Sequence, residues 1–337
     1  MSLRRDLSAI VALAACPLAA GAQSFDGQDW QLVCDNTRTC RAAGYSTEGS
    51  DHPVSVLFTR AAGQGSAILG ELQLGTHGAA SVHPSSVVLA LPGKSVATIR
   101  VDRDNHAMLT PAATAALLKA LVAGNDARFT SGKSTWAVSA RGAAEALQKM
   151  DEAQGRTGRP SAIVRPGGAS DADVASAMAR PRFEAAGLSA AAQAGDDALV
   201  VRVLSSIQSN AQCPLLDDGA SQAKGRLWHL DANRLLVSQP CRAAAHDSGN
   251  GYWIANLRAP YDARAITFSG GDVDGTGSIT AREPGLIPGD CVPVKAWTWN
   301  GYRFEQTYDA TGGLCRGVKE GGAWQLPSVV TDVIPAH

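Results

Sequence analysis

Six cysteines lie beyond residue 22, and they constrain this chain more than any other feature. They are Cys34, Cys40, Cys213, Cys241, Cys291 and Cys315. An even cysteine count behind an export signal reads as a disulfide framework. Several pairings are open. The sequential one, Cys34–Cys40, Cys213–Cys241 and Cys291–Cys315, is the most economical, because each bridge closes a short or moderate loop. A metal or redox role would call for Cys-x-x-Cys spacing, which does not occur.

The export signal itself is read over residues 1–22. Arg4 and Arg5 form a basic start, Ala9 to Ala15 a short apolar run, and Pro17 a break. Ala20-Gly21-Ala22 then offers a small-x-small cleavage site. A second reading takes Leu13-Ala14-Ala15-Cys16 as a lipobox, with Cys16 lipidated. The mature protein is expected in the periplasm or medium on the first reading, and anchored through Cys16 on the second. No later stretch reads as a transmembrane helix. A net charge of −1 gives no basic footprint for nucleic acid. It gives no electrostatic reason to bind an anionic membrane either.

The 337 residues are long for one domain. The first half reads as strands Gln31 to Cys34, Cys40 to Tyr45, Val54 to Thr59, Ala67 to Leu74, Val87 to Leu91 and Ser95 to Val101. Thr110-Pro111 starts a helix that Gly124-Asn125 ends. Another strand (Ser134 to Ser139) and another helix (Ala143 to Gln154) follow. The expected N-terminal domain, 23–155, is α+β: an antiparallel sheet with two covering helices. Residues 156–195, rich in Gly, Pro and Ala, read as a linker with a short helix at Asp171 to Ala179. Residues 196–337 read as a C-terminal domain of mainly antiparallel β structure, with turn signals every several residues. In it Asn300-Gly301 marks a hairpin between Trp299 and Tyr302.

Three places could carry chemistry. The run Asp272 to Glu283 matches the spacing of a twelve-residue calcium loop, with Asp272, Asp274, Thr276, Ser278 and Glu283 as oxygen ligands and Gly277 at the sharp turn. Its context is poor. Strand-like Ile266-Thr267-Phe268 precedes and Pro284-Gly285 follows, so a Gly/Asp-rich hairpin turn competes. The aromatic series Trp297, Trp299, Tyr302 and Phe304 could make a ligand platform on one hairpin face, or fill a core. The acid pairs Asp196-Asp197 and Asp217-Asp218, with His246-Asp247, are the material for a hydrolytic site; as loop residues they read more simply as solvated. Ser221 and Lys224 form a Ser-x-x-Lys without its usual partner motifs, and no Gly-x-Ser-x-Gly elbow occurs.

The opening run WQLVCDNTRTCRAAGY and the closing run GDCVPVKAWTWNGYRFEQTYDATGGLCRGVKEGGAW resemble the signatures of the bacterial exported family called domain of unknown function 1176. The central LLVSQPCRAAAHDSGNGYW resembles that family's Cys-centred segment, but has Arg242 and His246-Asp247 where the family tends to an aromatic and a Tyr-Asn pair. The first half is also similar to invasion-associated locus B proteins. The resemblance implies an exported protein and no activity. The leading expectation is a non-catalytic envelope module, binding or structural, with an envelope protein or glycan as its partner. A calcium-stabilised module and a cell-wall hydrolase are the alternatives.

Overall fold

The computed structural model describes residues 23–75, 83–188, 193–244, 247–282 and 291–336. The export signal, Cys16, His246 and Glu283 lie outside the described residues.

The chain opens with five antiparallel strands in sequence order. They are β1 (Gln23–Asp26), β2 (Trp30–Cys34), β3 (Cys40–Tyr45), β4 (Val54–Arg60) and β5 (Ile68–Leu74). A hairpin of β6 (Ser86–Leu91) and β7 (Lys94–Arg100) leaves this sheet, and β8 (His106–Met108) returns to its edge beside β5. Helix α1 (Pro111–Val122) begins where Thr110 accepts a hydrogen bond from the Ala113 N–H. Strands β9 (Ala127–Ser131) and β10 (Ser134–Val138) then join β6 and β7 in a second sheet, and α2 (Ala143–Ala153) follows. The expected single sheet is therefore two. A period-2 pattern shows which face is buried, but it does not say which partner a strand takes.

Both sheets and both helices enclose one core. Trp30, Val56, Phe58 and Leu72 face Leu89, Phe129 and Trp136, with Leu117, Leu121, Leu147 and Met150 from the helices. Trp30 pairs across the ladder with Gly44, and its ring lies where any side chain at 44 would sit: an added Cβ would meet Trp30 Cζ2 at 2.3 Å. The indole N–H donates to the Ser139 carbonyl at 2.8 Å.

Residues 156–174, expected as linker, are held against this core by buried charge. Arg60 and Asp151 pair at 2.6 Å. Gln154 accepts from the guanidinium nitrogens of both Arg60 (2.6 Å) and Arg156 (3.2 Å). The second Asp151 oxygen takes the N–H groups of Ile163 and Val164. Only a 3₁₀ turn forms over Asp171–Asp173, where a longer helix was expected.

The second half adds β11 (Arg182–Glu184), α3 (Asp196–Leu204) and α4 (Gly219–Gln222). An antiparallel meander follows: β12 (Arg226–His229), β13 (Arg234–Ala244), β14 (Asp247–Asn256), β15 (Arg264–Val273), β16 (Ser278–Arg282), β17 (Val294–Trp299), β18 (Phe304–Thr311) and β19 (Leu326–Val329). These eight strands form one sheet in sequence order. The last strand, β20 (Asp332–Ile334), pairs in parallel with β11. The sheet is curled. Arg234 at the start of β13 lies over the Trp299 ring, 5.0 Å from its centroid, and donates to the Gly301 and Tyr302 carbonyls in the β17–β18 turn. One face packs Trp228, Leu236, Tyr252 and Ile279; the other packs Val203, Leu204, Leu216 and Trp253.

The two halves are joined. On the outer face of the first sheet, Val33, Ala43, Tyr45 and Leu57 pack against Val318, Trp324 and Leu326 near the chain end. Trp324 donates its indole N–H to Ser55 Oγ at 2.7 Å. In the β2–β3 turn, Asn36 exchanges hydrogen bonds with the backbone of Val330, at 2.8 and 3.0 Å. This outer contact explains why β2 and β4 are apolar on both faces.

Tyr252 allows a pH test of the curled sheet. Its ring is buried and its hydroxyl donates to the Gly271 carbonyl. Burial, with the nearby Asp272 charge, raises its pKa from 10.0 to about 12. The unfolded tyrosine ionises first, so this contribution is whole below pH 10 and falls as pH rises toward 12. The wild type is expected to lose about 2–3 kcal/mol over that window through this residue. Denaturant melts of Tyr252→Phe across the same range should lack that loss; parallel curves would refute it.

Candidate functional site

The described sulfurs form three bridges in sequential order: Cys34–Cys40, Cys213–Cys241 and Cys291–Cys315. The first staples the β2–β3 hairpin, whose turn is shaped by Asp35. Its carboxylate accepts from the Thr37 and Thr39 N–H groups and pairs with Arg41 at 2.8 Å. That turn is spent on structure, including the grip on Val330.

The second bridge braces a cleft of about 650 Å³ in the second half. The floor is Trp253 on β14 and Phe268 on β15, edge to face with centroids 5.9 Å apart. Trp253 fits only because residue 251 is glycine. A Cβ there would meet Trp253 Cη2 at 2.1 Å and Cys241 Sγ at 2.6 Å. So the indole lies against the disulfide. One wall is the segment after α3, with Ile207, Gln208, Asn210 and Leu216. The Cys213–Cys241 bond ties it to β13, as do hydrogen bonds from Leu215 N–H to the Cys241 carbonyl and from Gln239 to the Leu215 carbonyl. The opposite wall is the β14–β15 loop, with Pro260, Tyr261 and Asp262. Asn256 fixes that loop through the Pro260 carbonyl and the Asp262 carboxylate.

Helix α3 leads into the first wall. Its first-turn Asp196 accepts from the Gln193 N–H and contacts His229 at 3.1 Å, and both interactions hold its carboxyl below the usual range. Asp218 caps α4 by accepting from the Ser221 N–H. Asp196 and Asp218 therefore stand at helix starts, while Asp197, Asp217 and Asp218 are exposed to solvent. Ser221, in α4, is buried.

A larger groove of about 780 Å³ runs over β13 to β16, lined by Arg242, Ser269, Asp272 and Arg282. It borders segments outside the described residues. Arg242 is committed to Ser269 Oγ at 2.7 Å.

The aromatic series does not form one platform. The β17–β18 turn covers Asn300 to Arg303, so Trp299 pairs with Phe304, and a bulge falls between Ala296 and Trp297. Trp299 is buried under Arg234, Phe304 packs on the core, and Tyr302 stands 78% exposed at the turn. Trp297 is half-buried.

The calcium-spaced run is a hairpin turn between β15 and β16. Asp274 Oδ1 accepts from Thr276 N–H, Thr276 Oγ1 and Ser278 N–H, and Asp272 pairs with Arg226 at 2.9 Å. Ser278 Oγ bonds Thr298 Oγ1 at 2.7 Å. Strands flank the loop where calcium loops of this spacing have helices. Among the described residues no group of three or more His, Cys, Asp or Glu could hold a metal ion. The calcium reading, whose twelfth-position Glu283 lies outside the described residues, predicts a melting temperature that rises with calcium and stops rising in Asp272→Ala; no calcium effect on the wild type would remove it.

Sequence reading missed the cleft. Trp253, Tyr261 and Phe268 around a proline loop were the signal, but Trp253 and Phe268 read only as strand residues.

The family model described as protein of unknown function (DUF1176) matches residues 24–331. No curated protein and no solved structure matches. The similarity of the first half to invasion-associated locus B proteins gains no support from these comparisons.

Proposed function

The chain belongs to the DUF1176 family, whose description assigns no function, and on that footing we propose that it is an exported, non-catalytic binding module of the bacterial envelope. The observation that carries this reading is the cleft whose wall is cross-linked by Cys213–Cys241 and whose floor is aromatic. A wall fixed before the ligand arrives lowers the ordering cost of binding. A volume of about 650 Å³ falls in the range of small-ligand sites.

Three disulfides are compatible with export to an oxidising compartment. No described helix is long and apolar enough to cross a membrane. The signal read at 1–22 would deliver the protein to the periplasm or medium, or to a lipid anchor at Cys16.

The test is co-sedimentation. Oxidised full chain is mixed with insoluble envelope material from a Gram-negative bacterium. Saturable retention that free thiol-reduced protein lacks is the expected result. No retention, or steady turnover of an envelope substrate that one polar substitution abolishes, would overturn the proposal.

A further inference from the structure

We propose that the cleft between the post-α3 segment and the β14–β15 loop takes a short neutral saccharide. This deepens the binding-module reading and rests on it.

Four observations point to that ligand class. First, Tyr261 and Phe268 are partly exposed and offer ring surface, with Phe268 set edge to face on a Trp253 that is itself buried. A sugar ring presents an apolar C–H face that packs on such surface, and tyrosine adds a polar tip. Second, the rim is built of uncharged amides. Gln208 and Asn210 are exposed. Asn210 Oδ1 accepts from the Gln212 N–H, which fixes the amide and leaves its N–H₂ group without a partner among the described residues. Gln208 makes no side-chain hydrogen bond among them. Such groups suit hydroxyls, which both donate and accept.

Third, among the described residues no Lys or Arg lines the cleft, while Asp262 does. A phosphate or acidic ligand would meet a carboxylate with no cation to offset it. Fourth, the site is a cleft with an exposed rim, not an enclosed apolar tunnel. An acyl chain would leave one side in water, whereas a sugar keeps its hydroxyl edge there.

Both walls are held before binding, one by Cys213–Cys241 and one by Asn256. Fixed walls suit a ligand whose individual hydrogen bonds are each worth only about 1 kcal/mol net.

The test is calorimetric titration of the oxidised full chain with chitotriose and with maltotriose, and with trialanine as the peptide probe. Saturable binding of at least one saccharide is expected. The doubly substituted Gln208→Ala/Asn210→Ala should bind about thirtyfold more weakly, as the loss of two modest hydrogen bonds implies. Both positions are exposed, so its melting temperature should match wild type. Tyr261→Ala should weaken binding as well. The assignment is overturned if neither saccharide binds at millimolar concentration, if binding is unchanged in these variants, or if trialanine alone binds. If the saccharides fail while cleft-dependent co-sedimentation holds, the saccharide falls and the binding-module reading stands. If co-sedimentation fails too, both fall.

Discussion

Asp151→Ala is expected to destabilise the protein by about 3–5 kcal/mol, the usual cost of removing one partner from a buried ion pair. Asp151 and Arg60 are each 1% exposed, and Arg156 lies beside them fully buried. Burial lowers the pKa of both guanidiniums, and Asp151 opposes that effect for each. Without Asp151, Arg60 is a buried cation with no paired anion, and Arg156 keeps only Asp171, reached through Ser161. The Ile163 and Val164 N–H groups also lose their acceptor. The loss should appear as a lower denaturant midpoint at constant m-value. The paired Arg60→Met/Asp151→Leu should be markedly more stable than Asp151→Ala, because it removes the unpaired Arg60 charge and leaves Arg156 with Asp171. If Asp151→Ala costs less than about 1 kcal/mol, the charge cluster does not anchor residues 156–174.

Opening the second disulfide is the other large effect. Cys213 and Cys241 are 28 residues apart, a loop whose closure limits the unfolded chain by about 3–4 kcal/mol. Cys213→Ser/Cys241→Ser is expected to lose about that much. Both sulfurs are buried and Trp253 lies against Cys241, so two hydroxyls would replace apolar contact at the cleft floor. The variant should therefore lose ligand retention as well as stability. By comparison, Cys34→Ser/Cys40→Ser closes a far shorter loop, with a separation of 6, and should cost less and leave the cleft intact. Equal effects of the two variants on retention would separate the disulfide from the site.

Local chemistry made part of this molecule legible. The β2–β3 hairpin follows from two cysteines around a polar turn. Helix α1 starts at Thr110-Pro111, where a hydroxyl can take a free N–H and proline needs no partner. Features set by distant residues were not legible. Trp324 and Ser55 are 269 positions apart, and no periodicity announces their bond. Residues 156–174 have a linker's composition, yet Arg156 buries its guanidinium among Gln154, Ser161 and the Gly63 carbonyl. A count of apolar residues does not register that kind of anchor.

The aromatic series shows how one turn decides a face. Asn300-Gly301 does mark a hairpin, with Gly301 at positive φ. The turn runs two residues longer than the expected pair, through Arg303, and the bulge at Ala296 shifts the register again. So the expected ladder divides between core and solvent. The partly exposed aromatic surface arises instead from Phe268 on β15 and Tyr261 in the β14–β15 loop, backed by the buried Trp253.

The most direct measurement of the central claim is envelope co-sedimentation of three oxidised proteins: wild type, the cleft variant Gln208→Ala/Tyr261→Ala, and the groove variant Arg282→Ala. The cleft account predicts that wild type and Arg282→Ala are retained alike and that the cleft variant is released. Retention of the cleft variant at the wild-type level, or release of Arg282→Ala alone, would contradict it.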